Sequence, residues 1–221
     1  VGAGSWAEFV DCHFQRNRAA GDGGAVGARD GAEVTLRQCT FYLNRADGDC
    51  GAVDVAADRA LVIEQCLFIE NEGLVAGALR TAGGAVHLDG NTFFRNVSLG
   101  GASVHVALRT PPAVVSVTRN IFCGDQEGAG LALPPRNKHA CNLYYDNFRG
   151  ALLAGEPGAD ALQANPEFCD FRGLDLTLRH GSPAAGESPG CGRIGALDVG
   201  CVQRLEAASW LGPSAPQRRV R

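Results

Sequence analysis

The sequence predicts an all-β fold, a parallel β-helix whose successive coils stack along one axis. A six-residue motif recurs every 22 to 29 residues, a period typical of solenoid repeats. Apolar and polar residues alternate before each motif, as in a strand with one buried face, and a Gly-rich turn follows it. A helical repeat would need an apolar period of about 3.6 residues, which the sequence lacks. We therefore expect about six regular coils of three short strands each.

The motif forms the second strand of each predicted coil. Its copies span residues 12–17, 39–44, 66–71, 91–96, 120–125 and 142–147. Stacked coils place equivalent side chains in columns about 4.8 Å apart. The third motif position predicts an aromatic core column of Phe14, Phe41, Phe68, Phe93, Phe122 and Tyr144. The last position predicts an asparagine ladder at a turn, made of Asn17, Asn44, Asn71, Asn96, Asp125 and Asn147.

The chain of 221 residues is expected to form one elongated domain. We assign the β-helix to residues 1–201, with regular coils over 5–147 and an irregular C-terminal coil or cap over 148–201, and a tail or linker to 202–221. A net charge of −4 gives no reason to expect a nucleic-acid partner. No apolar run is long enough for a transmembrane helix and no signal peptide is visible, so we interpret the chain as a mature or trimmed fragment.

Six of the nine cysteines fall into two groups by their position. The first group occupies the first motif position and belongs to a core column; it comprises Cys12, Cys39 and Cys66. Neighbouring side chains in such a column point in parallel directions, whereas a disulfide needs a crossed geometry. We therefore expect these three thiols to stay reduced and to act as small apolar side chains.

Disulfides are expected in the irregular C-terminal part, where a bridge would connect loops. Our first choice is Cys191–Cys201, with Cys169 as a competitor for either partner. A Cys123–Cys141 bridge is a further alternative. No C-x-x-C pair exists, so the spacing does not favour a zinc site.

The repeat V-x-L-x-x-C-x-F-x-x-N, followed by G-G-A-V, resembles the coils of bacterial secreted right-handed parallel β-helix proteins of the pectin-lyase-like superfamily. It is also similar to repeats of polymorphic outer-membrane proteins. The segment NPEF…DLTLRHGSPAAGES…IGALDVGC is similar to the stretch that closes such a β-helix. The resemblance implies a right-handed, single-stranded β-helix in an extracellular or cell-surface setting. It does not imply one activity, because the superfamily includes lyases, hydrolases, epimerases and adhesins.

The outward column of the third strand contains Asp54, Arg80 and His105 in successive coils. As a catalytic set, it would supply an acid, a base and a cation that stabilises a sugar carboxylate. As a structural feature, it would be a solvated salt bridge between coils beside a polar residue.

A second candidate set lies on the strand before the motif. Glu64 and Asp89 are predicted to be carboxylates one coil apart, close to His87. Paired carboxylates are the groups that glycoside hydrolysis requires. Charged residues beside a turn also keep a surface soluble, and the D-x-x-D or D-D clusters with a following G-H-G, which mark the galacturonan hydrolases of the resembled fold, are missing.

Two further features could bind a ligand. Asp22, Asp47 and Asp49 lie in Gly-rich turns, where stacked oxygen ligands would hold calcium, although Asp and Gly are also the ordinary residues of tight turns. An apolar outward stripe contains Tyr42, Ile69, Phe94 and Tyr145. We favour its being covered by the chain's own loops; the alternatives are contact with another chain or with a sugar face.

The sequence thus supports two hypotheses of function. The first is a non-catalytic, secreted or cell-surface β-helix module for adhesion or glycan contact, since no convincing catalytic cluster emerges. The alternative is a polysaccharide-acting enzyme, a lyase before a hydrolase. Calcium is the one candidate cofactor, a polysaccharide or cell-surface glycan is the candidate partner, and the oligomeric state is not predicted.

Overall fold

A computed structural model describes residues 4–29, 31–56, 59–107, 114–134, 137–186 and 190–201, and every regular element within these ranges is a strand. Four parallel sheets of six, seven, four and five strands run along the molecule, and successive coils contribute their strands. The predicted all-β parallel solenoid is therefore confirmed, while its handedness and coil count stay predictions. The predicted tail, 202–221, lies outside the described residues. No helix of the described ranges is long and apolar enough to span a membrane.

The first two sheets carry the strands that the alternating pattern and the motif predict. The first sheet consists of Trp6–Val10, Glu33–Arg37, Leu61–Glu64, Val86–Asp89, Val115–Thr118 and Lys138–Ala140. The second sheet consists of His13–Gln15, Thr40–Tyr42, Leu67–Ile69, Thr92–Phe94, Ile121–Cys123, Leu143–Tyr145 and Leu162–Gln163. Between them the chain turns within two residues.

The other two sheets show that the first four coils contain four strands each rather than the predicted three. A short strand follows the motif and forms the third sheet, Arg18–Ala19, Arg45–Ala46, Glu72–Gly73 and Val97–Ser98. Two residues are too few to show an alternating pattern, so this strand has no signal in the sequence. The fourth sheet follows the Gly-rich loop and consists of Val26–Arg29, Val53–Ala56, Ala76–Ala82, Ala102–Ala107 and Ala129–Ala132.

Two sharp corners in each coil separate the first three sheets. In each motif, the residue before the first position and the residue before the last position adopt the left-handed backbone conformation. Gln38 (φ 53°) precedes Cys39, and Leu43 (φ 54°) precedes Asn44. In a later coil Gly90 (φ 63°) takes the first of these positions. The left-handed conformation costs a non-glycine residue about 1–2 kcal/mol, so the corners need stabilisation from elsewhere.

That stabilisation comes from side chains of the column residues. Asn44 Nδ2 donates to Asn71 Oδ1 (3.0 Å) and to the Phe14 carbonyl oxygen (2.9 Å). Asn71 Oδ1 also accepts from the backbone N–H of Asn44 (3.0 Å), and Asn71 Nδ2 donates to Asn96 Oδ1 (3.0 Å). These amides are completely buried at Asn44, Asn71 and Asn96. Each corner is thereby hydrogen-bonded to the coils on both sides.

Aspartate replaces asparagine at the fifth position of this column. The Asp125 carboxylate accepts from Ser98 Oγ (2.7 Å), Ser103 Oγ (2.8 Å) and the Gly128 N–H (2.6 Å). Burial raises the pKa of Asp125, and these hydrogen bonds oppose the rise. The backbone N–H of Asp125 still donates to Asn147 Oδ1 (3.0 Å).

The first motif position forms a second column whose chemistry changes along the chain. Asn91 Oδ1 accepts from the Cys66 N–H (2.8 Å), and Asn91 Nδ2 donates to Asn120 Oδ1 (2.9 Å). In the earlier coils the Cys39 N–H instead meets Cys66 Sγ at 3.4 Å. The prediction that these column cysteines stay reduced is confirmed, because Cys12, Cys39 and Cys66 are free thiols.

The predicted aromatic column fills the interior. Its rings stack in parallel, with centroids 4.7 Å apart between Phe41 and Phe68, 4.8 Å between Phe68 and Phe93, and 5.0 Å between Phe93 and Phe122. Tyr144 extends the stack with a spacing of 5.2 Å. The centroid spacing follows the strand spacing, so the column sets the same register in every coil.

The C-terminal segment, described over residues 164–186 and 190–201, folds back along the outer face of the second sheet. It contains an antiparallel hairpin, Phe168–Asp170 with Asp175–Leu178. The Gly195 N–H donates to the Arg119 carbonyl oxygen (2.7 Å), and the Ala196 N–H donates to Thr92 Oγ1 (3.0 Å). Apolar residues of the segment are buried against the outward stripe; they are Phe168, Leu176, Leu178, Ala184 and Ile194. Coverage of the stripe by the chain itself is therefore confirmed, with Tyr145 left 39% exposed.

The fold-back also corrects the predicted disulfides. Cys141 bonds to Cys191, and Cys169 bonds to Cys201, the competing alternative. The first choice, Cys191–Cys201, is wrong because the segment carries Cys191 back to the corner of the second sheet, where Cys141 lies 50 residues earlier in sequence. The Cys123–Cys141 alternative is also wrong, since Cys123 is a buried free thiol beneath the segment.

We expect Asn71→Ala to lower the free energy of unfolding by about 3–4 kcal/mol, because the buried Asn44 N–H and Phe41 carbonyl oxygen lose their partner. Asn17→Ala is the matched control, since this exposed amide at the end of the same column bonds, among the described residues, to Asn44 alone. Urea denaturation of both variants measures the difference. Equal losses for Asn71→Ala and Asn17→Ala would contradict the role given to the buried column.

Replacing both Cys141 and Cys191 by Ser should lower the free energy of unfolding by about 2–4 kcal/mol, because the bridge closes a long loop. The variant should also bind an apolar fluorescent dye more strongly, since the covered stripe becomes accessible. Cys12→Ser, which removes a free thiol, is the control for cysteine replacement. Unchanged thermal unfolding and dye binding would show that the segment stays docked without the bridge.

Candidate functional site

The first candidate set lies on the fourth sheet. Asp54, Arg80 and His105 occupy matching register positions of three adjacent strands, so they form one row across the sheet. Strand alternation points this row away from the aromatic core. The Gly-rich loops that carry Asp22 and Asp49 reach the same face.

Arg80 lies at the centre of this row and binds three carboxylates. Its Nε donates to Asp54 Oδ1 (2.7 Å), its Nη2 donates to Asp22 Oδ2 (3.2 Å), and a further ion pair joins it to Asp49. Arg29 pairs with the second oxygen of Asp54 and lies 3.3 Å from Asp22 Oδ2. We call these five residues the arginine–aspartate cluster. It unites residues that the sequence assigns to two separate candidate sites.

The cluster occupies both carboxylate oxygens of Asp54. Its side chain is only 1% exposed, and both of its oxygens accept from guanidinium groups of Arg80 and Arg29. A general acid or base has to come within hydrogen-bond reach of a reacting proton. This geometry favours the structural interpretation of the row, a salt bridge between coils, although an enclosed rather than a solvated one.

His105 follows Arg80 in the row but is not part of the ion pairs. Its Nδ1 is buried and has no hydrogen-bond partner among the described residues. Burial and then the positive charge of Arg80 lower the pKa of His105, while Asp49 opposes this shift. Burial and the charge of Arg80 thus favour the neutral form of the imidazole.

The calcium candidates do not converge on one point. Asp47 lies outside the cluster and pairs with Arg18 at 3.0 Å, whereas Asp22 and Asp49 are bound to Arg80. Within the described ranges, one set of three metal-ligating groups comes within 4.8 Å, namely Cys141, Asp160 and Cys191, and its two sulfur atoms are joined in the disulfide. Calcium at the acidic turns stays a prediction, in competition with the guanidinium groups that occupy these carboxylates.

The second candidate set lies on the first sheet, where Glu64 and Asp89 are register neighbours. Glu64 Oε2 accepts from Arg37 Nε (2.9 Å), and His87 Nε2 lies 3.6 Å from Glu64 Oε1. A polar cleft of about 490 Å³ lies beside these carboxylates, and Arg193 and Gly195 of the C-terminal segment form its far wall. The two residues are thus neighbours across the sheet, and each carboxylate has a basic neighbour.

Asp89 is the less suitable of the two for acid catalysis. Its Oδ1 accepts from Thr118 Oγ1 (2.7 Å) and from Arg119 Nε (2.9 Å). Burial raises its pKa, but the hydrogen bonds from Arg119 and Thr118 outweigh burial, and the net shift is downward. A general acid needs a raised pKa, so this shift acts against that role.

A third site, which sequence reasoning missed, lies between the second sheet and the C-terminal segment. This aromatic cleft encloses about 520 Å³ and is lined by Phe94, Arg95, Cys123, Gly124, Tyr145, Asp146, Asn165, Pro166, Glu167, Phe168, Phe171 and Arg179. Phe94 and Tyr145 belong to the predicted stripe, whereas residues 165–179 come from the non-repetitive segment. No periodic signal links the two parts, so only the fold-back reveals the cleft.

Rings and guanidinium groups form the walls of the aromatic cleft. The Arg95 guanidinium carbon lies 4.9 Å from the Phe94 ring centroid and 5.4 Å from that of Phe171. The Phe168 ring meets Phe94 edge to face at 5.6 Å. Phe171 is 45% exposed, and with Tyr145 it presents apolar ring surface to solvent at the mouth. Arg95 is thereby held between two rings, where its position is fixed.

Comparisons of this chain with models of protein families, with curated proteins and with solved structures each returned no match. The β-solenoid is shown by the structure, whereas the resemblance to the pectin-lyase-like superfamily and a bacterial origin stay predictions. The function therefore has to be argued from the geometry of the three sites.

Arg80→Gln should lower the free energy of unfolding by about 1.5–3 kcal/mol, because the buried Asp54 carboxylate would lose its hydrogen bonds from Arg80 and keep its pair with Arg29. The matched control is Arg18→Gln, which breaks the exposed pair with Asp47 and should change stability by less than about 1 kcal/mol. Chemical denaturation at neutral pH compares the two. If Arg80→Gln were as stable as Arg18→Gln, the cluster would not hold the coils together.

Proposed function

We propose that this chain is a non-catalytic extracellular or cell-surface module that contacts glycans. The observation that carries the proposal is a contrast between its sites. The charged rows of the repeat are occupied by internal ion pairs, whereas the aromatic cleft is open and offers ring surface. Two disulfides are compatible with an oxidising, extracellular compartment.

The alternative is a polysaccharide-acting enzyme, a lyase before a hydrolase. One observation favours it: the first-sheet cleft places Glu64 and Asp89 side by side within about 490 Å³ of open space. Against it, Arg37 and Arg119 hold these carboxylates in ion pairs. A binding module does not require the Glu64 or Asp89 carboxylate to be free of its ion pair. The first proposal therefore agrees better with this geometry.

The wild-type chain should be retained on one or more immobilised glycans and should leave their chain length unchanged. A glycan array measures retention, and reducing-end and ultraviolet assays of the same polysaccharides measure cleavage and unsaturated products. The double variant Glu64→Gln, Asp89→Asn is the control, because it should bind as the wild type does. Product release that this variant abolishes would establish the enzyme instead, and retention on no glycan would contradict the module.

A further inference from the structure

We infer that the aromatic cleft binds a neutral hexopyranose unit of a glycan. This inference rests on the proposed function and assigns a site and a ligand class to it. The cleft of about 520 Å³ falls within the roughly 300–1,000 Å³ that small-molecule sites occupy. Its lining combines a few polar groups with several rings, which is the composition of such sites.

Ring surface at the mouth provides the apolar half of the recognition. Tyr145 is 39% and Phe171 45% exposed, although the other rings of the cleft, Phe94 and Phe168, are buried. One face of a pyranose ring carries mainly C–H groups, and such a face loses contact with water when it stacks on an aromatic ring. Exposed Phe171 belongs to the hairpin turn and Tyr145 to the second sheet, so a sugar would contact both walls.

The charged groups that line the cleft balance, which suits a neutral ligand. Arg95 and Arg179 contribute two positive charges, and Asp146 and Glu167 contribute two negative charges. In the part of the chain that the structure describes, Asp146, Glu167 and Arg179 form no ion pair within 4.0 Å. The two carboxylates offset the attraction of the guanidinium groups for a uronic acid, and they accept hydrogen bonds from sugar hydroxyls.

The donors of the cleft complete this arrangement. Arg179 Nη2 donates to the Cys169 carbonyl oxygen (3.2 Å), and a guanidinium has further N–H donors that could bond to ligand oxygens. Arg95 is fixed between the rings of Phe94 and Phe171, with Glu70 at 3.9 Å. Fixed donors beside free acceptors suit a ligand whose hydroxyl groups both donate and accept.

Isothermal titration calorimetry with neutral gluco-, manno- and galacto-oligosaccharides, and with oligogalacturonate as the acidic probe, tests the inference. The wild type should bind at least one neutral probe more tightly than oligogalacturonate. Phe171→Ala and Tyr145→Ala should each weaken that binding about tenfold or more, since stacked rings dominate such contacts. Phe148→Ala is the matched control, because this ring is 75% exposed and lies outside the cleft.

The variants also separate the inference from the proposed function. An unfolding temperature near that of the wild type confirms that a variant is folded. Glu167→Gln, which changes a single exposed group, gives a second test, and we expect it to lower the affinity for the neutral sugar several-fold. Neutral-sugar binding that survives Phe171→Ala and Tyr145→Ala would overturn the site while leaving a glycan-contact module. Preference for oligogalacturonate would overturn the neutral ligand, and the failure of all glycans to bind would overturn both.

Discussion

The structure depends on one constraint, the hydrogen bonding of two left-handed corners in every coil. A residue such as Leu43 or Gln65 takes a conformation that costs it about 1–2 kcal/mol, and the adjacent amide or thiol binds the neighbouring coil. Because Asn71 serves as acceptor for Asn44 and as donor to Asn96, no corner is stable alone. Stacking register, strand direction and the aromatic column all follow from corners that repeat at the same position. This explains why the motif is conspicuous in the sequence although it carries no chemistry of its own.

The same stacking determines how the charged residues of the outward rows are paired. Alternation turns Asp54 and Arg80 outward, yet the loops that carry Asp22 and Asp49 close over this face and exclude water from Asp54. A buried carboxylate must be paired, and Arg80 can bind several carboxylates at once because its guanidinium is a planar set of donors. Stacked coils bring charges of opposite sign within about 5 Å of each other, so ion pairs form between them by default. An outward charged row of a solenoid is therefore weak support for catalysis unless one of its groups remains unpaired.

The sequence was sufficient to predict the features that repeat and insufficient for those that do not. The parallel solenoid, the aromatic column and the free thiols of Cys39 and Cys66 follow from positions that recur in successive coils. The strand after each asparagine was missed because two residues are too few to show an alternating apolar pattern. The Cys141–Cys191 bridge was missed because nearness in sequence does not indicate which cysteines meet when a segment folds back. Only part of the aromatic cleft could be predicted. Phe94 and Tyr145 belong to the predicted outward stripe, but the residues that face them across the cleft come from the hairpin.

This division also bears on where function can reside. Residues that repeat in every coil give a surface that is nearly the same from one coil to the next, and their polar groups are consumed in holding the coils together. A distinct site needs groups without a counterpart in the next coil, and the docked segment supplies them in Phe171, Glu167 and Arg179. The segment is held by the Cys141–Cys191 bridge and by its apolar contacts, so the cleft is formed before a ligand arrives. A preformed cleft loses little conformational entropy on binding, which makes this seam between the repetitive and non-repetitive parts the favourable place for recognition.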